Sequence, residues 1–169
     1  MKPLADALRL LSRRPLTVHE MRERLAERGH APAQVDATLA DLESSGELDD
    51  LKLARHWVTV RAARLARGPA RLLRELEERG VDPDLARKAW KEAVASGDVD
   101  PEALLAAEAG KRVSLAGGML DDRRYARVYN ALLRAGFEPE AVRAALEPHR
   151  RDPAESPPDI TDESDHEFP

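Results

Sequence analysis

The sequence predicts an all-α fold: three tandem three-helix repeats in an elongated, curved array, followed by a disordered acidic C-terminal tail. Three observations lead there. Apolar residues recur at helical spacing nearly throughout, and no segment alternates as a strand would. A 19-residue pattern returns three times, around Gly29, Gly80 and Gly136. Between the apolar runs stand Asp-Pro, Gly-Pro and Thr-x-x-Glu, the punctuation of helix starts.

The elements follow in order. Leu4, Leu8 and Leu11 open the apolar series of a first helix. Thr17 and Glu20 form a capping box for a second, with Val18, Met21 and Leu25 as its buried stripe. Pro32 suits the first turn of a third, whose inner face carries Val35, Leu39 and Leu42. Asp49 or Asp50 caps a fourth with Leu51, Ala54, Trp57 and Val58 inward. Gly68-Pro69 ends that helix and starts a fifth bearing Leu72, Leu73 and Leu76. Asp82-Pro83 opens a sixth, striped by Ala86, Trp90 and Ala93 or Val94, and Asp100-Pro101 a seventh. Gly117-Gly118 breaks the chain before an eighth with Tyr125, Val128, Tyr129 and Leu132. Pro139 starts the ninth, which buries Val142 and Leu146 and ends near Pro148.

The repeat is the strongest signal. Segments 21–39, 72–90 and 128–146 superpose on their glycines, and Pro32, Pro83 and Pro139 then coincide, as do Leu25, Leu76 and Leu132. His30, Val81 and Phe137 fill the position after each glycine. Glycine supplies a left-handed C-cap and proline starts the next helix. Spacings of 51 and 56 residues indicate units at 1–47, 48–98 and 99–151, ahead of the tail at 152–169. A single unit buries little, so neighbours must pack end to end. A weaker echo, 46–58 against 118–130, reads as shared capping chemistry around Asp49-Asp50 and Asp121-Asp122.

Composition narrows the function classes. With 2 Trp, 2 Tyr and 2 Phe in 169 residues, the chain lacks the bulk for one large core and suits thin helical layers. Having no Cys, it has no disulfide, thiolate zinc site or cysteine nucleophile. No apolar run approaches the roughly 20 residues of a bilayer span. Asp6 and Arg9 interrupt the apolar N-terminus, which reads as a helix rather than a signal peptide, so a cytoplasmic location is expected. The five His are scattered; His19-Glu20 begins like a zincin motif, but Glu23 stands where the second His belongs. No catalytic constellation, metal site or cofactor motif emerges, and a non-enzymatic protein is expected.

Net charge is −5, yet the tail alone carries seven acids and no Lys or Arg, which leaves 25 acids against 27 basic residues in the body. The tail is expected either to solubilise the protein or to mimic DNA over a basic surface. Residues 51–74 form the longest acid-free basic stretch, with Lys52, Arg55, Arg61, Arg64, Arg67, Arg71 and Arg74. Such a ridge suits phosphates or a carboxylate-rich groove; equally, it suits a solvated face paired with Glu75, Glu77 and Glu78. Aromatics for base stacking are nearly missing from the stretch, since Trp57 falls on the apolar face.

The ordered set Thr17-Val18-His19-Glu20-Met21, Leu48-Asp49-Asp50, Ala54, Arg61, Gly68-Pro69-Ala70-Arg71-Leu72, Leu76, Arg79-Gly80-Val81 and Arg134-Ala135-Gly136-Phe137 resembles the RecX family. The resemblance covers residues 4–147; the acidic tail and the insertion ending at Gly117-Gly118 depart from it. It implies a cytoplasmic bacterial regulator of DNA repair and recombination, built from three tandem three-helix units. Such a protein lies in the groove of a RecA–single-stranded-DNA filament, bridges protomers and depresses ATP hydrolysis and strand exchange. The implied partners are the RecA filament and single-stranded DNA, met through the filament or directly, with the protein itself a monomer. The ridge residues together with Arg123, Arg124 and Arg127 are the candidate contacts. The rival readings are a helix-turn-helix-like DNA-binding module or transcription regulator, and a scaffold for another acidic protein.

Overall fold

The computed structural model describes residues 2–151 and, among them, nine α-helices and no strand. The segment 152–169, expected to be a disordered tail, lies outside the described residues. The helices are α1 (Pro3–Leu11), α2 (Val18–Glu27), α3 (Pro32–Ser44), α4 (Asp50–Leu65), α5 (Pro69–Glu78), α6 (Pro83–Ala95), α7 (Pro101–Leu115), α8 (Asp122–Arg134) and α9 (Pro139–Leu146). A 3-10 turn, Glu147–His149, follows α9.

Local chemistry sets the helix starts. Proline occupies the first turn of α1, α3, α5, α6, α7 and α9, where its missing N–H leaves no bond unmade. The Asp49, Asp82, Asp100 and Asp121 side chains accept first-turn N–H groups, and Thr17 and Glu20 complete a capping box on α2. Each repeat glycine closes its helix in the same way. Val81 N–H donates to the Leu76 carbonyl (3.0 Å) and Gly80 N–H to Glu77 (2.9 Å), with Gly80 at φ 81°.

Three cores result, one per three helices. The first gathers Ala7, Leu16, Met21, Leu25, Val35, Leu39, Leu42 and Leu48. The third gathers Leu105, Ala109, Val113, Leu120, Val128, Leu132, Phe137, Val142 and Leu146. The middle core is built of small side chains, with Ala54, Ala62, Ala86, Ala89 and Ala93 between α4 and α6, the most closely packed helix pair. Every closely packed helix pair lies within one set of three.

The first helix departs from expectation. Leu4 and Leu8 are 43% and 45% exposed, whereas Asp6 and Ala7 are buried. The reason is His30, which follows Gly29 where the other copies have the buried Val81 and Phe137. Its Nε2 lies 2.9 Å from Asp6 Oδ2, so α1 turns that carboxylate inward with Ala7 in place of Leu4 and Leu8, while Leu11 packs against the first core as expected, together with Leu10. The His30 hydrogen bond holds the Asp6 carboxyl below its ordinary range; burial opposes this, and Arg9 and Arg28 reinforce it.

The units meet through loops and helix ends, by a joint made twice. The cap residue of each middle helix donates to the carbonyl just before the next unit's turn glycine. Thr17 Oγ1 donates to the Arg79 carbonyl (2.7 Å), and Gly68 N–H to that of Ala135 (2.8 Å). Ala70 N–H adds a bond to the Gly136 carbonyl (3.1 Å) at the second joint. At the first, Asp50 Oδ1 accepts from Val18 N–H (3.0 Å). Of the two adjacent acids, Asp49 therefore caps its own helix and Asp50 caps α2. Burial pushes the Asp50 carboxyl up, with Glu43 and Asp49 adding to the rise and the Val18 bond opposing it. In the echo of this motif Asp121 caps α8 while Asp122 pairs with Arg150 (3.2 Å), so the likeness is one of capping and not of position in the unit.

The turn glycines distinguish the joints from the open end. A Cβ on Gly80 would collide with the His19 side chain, and one on Gly136 with Arg71; at Gly29 nothing stands within 4 Å. All three have positive φ, so alanine at any of them costs about 1–2 kcal/mol of backbone strain. Gly29→Ala is expected to lose only that. Gly80→Ala and Gly136→Ala are expected to lose clearly more, because backbone across the joint must also move. Denaturant unfolding of the three variants checks the order.

Candidate nucleic-acid interface

The acid-free stretch spans α4, the turn after it and the start of α5, and the fold divides its charges into three groups. Arg61, Arg67 and Arg71 converge on Glu75 of α5. Arg67 makes the closest pair, Arg71 Nε stands at 3.4 Å and Arg61 Nη1 at 3.9 Å. Arg55 points to α6 and the turn beyond it, pairing with Asp98 (3.2 Å) and Glu92 (3.7 Å). Lys52, Arg64 and Arg74 have no ion pair among the described residues, and all three are exposed. On α8, Arg124 pairs with Asp121 of its own cap (3.6 Å), while Arg123 and Arg127 are exposed and have no ion pair among the described residues. A single ridge is thus replaced by a partly neutralised cluster flanked by free cations.

Trp57, expected in the core, packs against the middle core with one part and lines a groove with another. Its ring lies between two guanidinium groups, Arg61 at 3.9 Å and Arg79 at 4.6 Å. Arg79 in turn grips Glu20 with both forks, Nε to Oε1 at 3.0 Å and Nη2 to Oε2 at 2.8 Å. This side chain ties the first unit to the second beside the Thr17 joint. The groove holds about 630 Å³, with an apolar floor that includes Leu53, Val60 and Leu65 and a rim of Arg14, Arg61, Arg64 and Arg79.

The partly buried tyrosines of α8 are similarly engaged. Tyr125 and Tyr129 stack with centroids 6.1 Å apart, and Arg150 and Arg143 lie over their faces at 5.2 and 5.9 Å. Each of these aromatic faces already has a cation on it, so a nucleobase would have to displace an arginine to stack there. Backbone phosphates, which need only cations, suit this surface better.

Sequence reasoning missed Arg79 as the tie between units. It lay within the Arg-Gly pair of the repeat, but its partner Glu20 is 59 residues away. Burial raises the Glu20 carboxyl, but Arg79, the Thr17 N–H and Arg14 together outweigh it and hold the group below its ordinary value. A carboxyl lowered in the folded state contributes stability above its unfolded value, and that contribution is lost as pH falls through the folded one. Arg79→Ala is expected to cost about 2 kcal/mol, the scale of a charged hydrogen bond, in denaturant unfolding. Glu20→Gln is expected to flatten the loss of stability on acidification; an unchanged acid limb would show that the pair does not couple the units.

Comparison with known proteins agrees with this architecture. Family models for the first and second RecX three-helix domains match residues 4–42 and 49–89. The chain is 37% identical to a regulatory protein RecX of Halorhodospira halophila over 140 residues, 82% of this chain and 83% of that one. It is 36% identical to that of Chromohalobacter salexigens over 145 residues, covering 85% and 90%. The crystal structure of RecX from Lactobacillus salivarius superposes with a TM-score of 0.77 at 17% identity, over 87% of this chain and 94% of that one, and so shares the fold. With all three units in place and relatives matched over most of their length, the chain belongs to the RecX family of regulatory proteins.

Proposed function

We propose that this protein binds the groove of a RecA–single-stranded-DNA filament and inhibits RecA recombinase and ATPase activity, modulating repair and recombination. The observation that carries the reading is the set of exposed cations that form no ion pair among the described residues, Lys52, Arg64 and Arg74 in the second unit and Arg123 and Arg127 in the third. Distributed over two units joined head to tail, they suit a partner that repeats along an axis. The resemblance to RecX supplies the identity of that partner. Arg55, Arg61, Arg67, Arg71 and Arg124 contribute by a different route, since each already holds a carboxylate that a phosphate must either displace or share the guanidinium with. Exchange gains less than filling an empty partnership, because the released acid is left unpaired.

The test is the ATPase rate of RecA on single-stranded DNA during titration with the protein. Suppression well below one copy per RecA is expected, and Ala at Arg64, Arg74 and Arg127 together is expected to require severalfold more protein. Each lost phosphate contact should also reduce the dependence of binding on salt, by about 0.7 in log–log slope on single strands. No suppression at excess, with sedimented filaments free of the protein, would reject the role. Tight, sequence-dependent binding to duplex DNA instead would favour the helix-turn-helix reading.

A further inference from the structure

We propose that Arg67, Arg71, Arg112 and Arg134 form an anion-binding pocket at the joint between the second and third units, built to hold one backbone phosphate of a single-stranded nucleic acid. The proposal deepens the nucleic-acid part of the function above and rests on that reading. The four side chains come from four places: the turn before α5, the first turn of α5, the last turn of α7 and the end of α8. All line one depression of about 290 Å³, roughly ten water volumes, whose wall is mostly polar. Only 45 residues separate Arg67 from Arg112, but nothing in the local sequence links them; the Gly68–Ala135 bond sets the Arg67 turn against the end of α8, which packs on α7.

Several features make this more than a chance gathering of cations. The arginines are held in place from behind. Glu75 anchors Arg67 and Arg71, Glu108 anchors Arg112 (2.7 Å), and Arg71 Nη1 reaches the Arg134 carbonyl (3.4 Å). Two carboxylates against four guanidinium groups leave an excess of two positive charges, and Arg134 has no ion pair among the described residues. Most telling, the Nε of Arg112 is buried with no hydrogen-bond partner, a donor that lacks an acceptor. The loop that presents Arg67 also contains Ala66 at φ 46°, a left-handed conformation that alanine adopts at a cost. Burial, together with Arg71 and Arg61, weakens the hold of Arg67 on its own proton.

The pocket selects phosphate over carboxylate by its shape and walls. The two carboxylates at the site hold single contacts and no bidentate pair: Glu75 meets Arg67 and Arg71 through Oε1 alone, and Glu108 meets only Nη2 of Arg112, so several N–H groups of the four guanidinium ions are left for a further acceptor. A tetrahedral phosphate offers oxygens to several forks at once. With little apolar wall, the depression gives no footing to the side chains of a peptide.

Two measurements on the full chain, both without RecA, test this. Inorganic phosphate at constant ionic strength should raise the Tm of the protein relative to chloride, since the anion bridges two units. The rise should vanish in Arg134→Gln, which removes no internal ion pair among the described residues, and in Arg112→Gln, while Arg87→Gln on α6 should keep it. Binding of an oligothymidylate should weaken about tenfold in the Arg112→Gln, Arg134→Gln double variant. Its salt slope should fall by about 0.7, the value for one phosphate, and not by twice that, because both arginines share one ligand. A fall of about 1.4, unchanged DNA affinity, or a polyglutamate peptide stabilising the protein as phosphate does, would overturn the proposal. Suppression of RecA that survives these variants would leave the regulatory role standing without the pocket, whereas DNA binding through the pocket with no effect on RecA would do the reverse.

Discussion

A middle-helix cap that donates to the carbonyl ahead of the next unit's turn glycine is the contact on which the arrangement of this molecule depends. Each unit has a core of only eight to ten buried side chains, too little to hold three short helices firmly on its own. The cap bond places one unit's helix start against the next unit's turn, so that Thr17 and Gly68, at equivalent positions, do the same work by different atoms, a hydroxyl and a backbone N–H. That positioning decides which cations become neighbours. It brings Arg79 onto Glu20 at the first joint, and Arg134 beside Arg71 at the second. The electrostatic surface is therefore a product of the joints as much as of the basic stretch itself.

Much of the fold was legible because its signals are local. Capping oxygens, prolines in first turns and glycines at helix ends each act within four residues of themselves, and all nine helices begin where that chemistry places them. The orientation of α1 was not legible, since a leucine series at helical spacing cannot reveal that His30, 24 residues on, will claim Asp6. The acid-free stretch was visible as composition, but its effective charge was not. Glu75 lies one residue past it and draws in three arginines from separate turns. Arg79 was visible only as part of the Arg-Gly motif, because its partner Glu20 lies 59 residues away. Pairing across a joint depends on geometry that periodicity does not encode.

The two acids of the Leu-Asp-Asp motif show how a local signal can carry a nonlocal duty. Asp49 caps α4 as such residues do. Asp50 gives its oxygen to the first N–H of a helix 32 residues earlier, so one dipeptide both starts the second unit and docks the first. A cap residue used in this way makes folding of adjacent units mutually supportive, since each completes hydrogen bonding that the other leaves open.

The contrast between the alanine-packed middle unit and the narrow joints on either side has a mechanical consequence. Where α4 and α6 approach through Ala54, Ala86, Ala89 and Ala93, little void remains and the block resists deformation. At the joints a few hydrogen bonds and one arginine clasp span the boundary, and such contacts tolerate small changes of angle at modest cost. The boundaries between units are therefore the parts of the molecule held by the fewest contacts, hydrogen bonds and an arginine clasp between one compact core and the next.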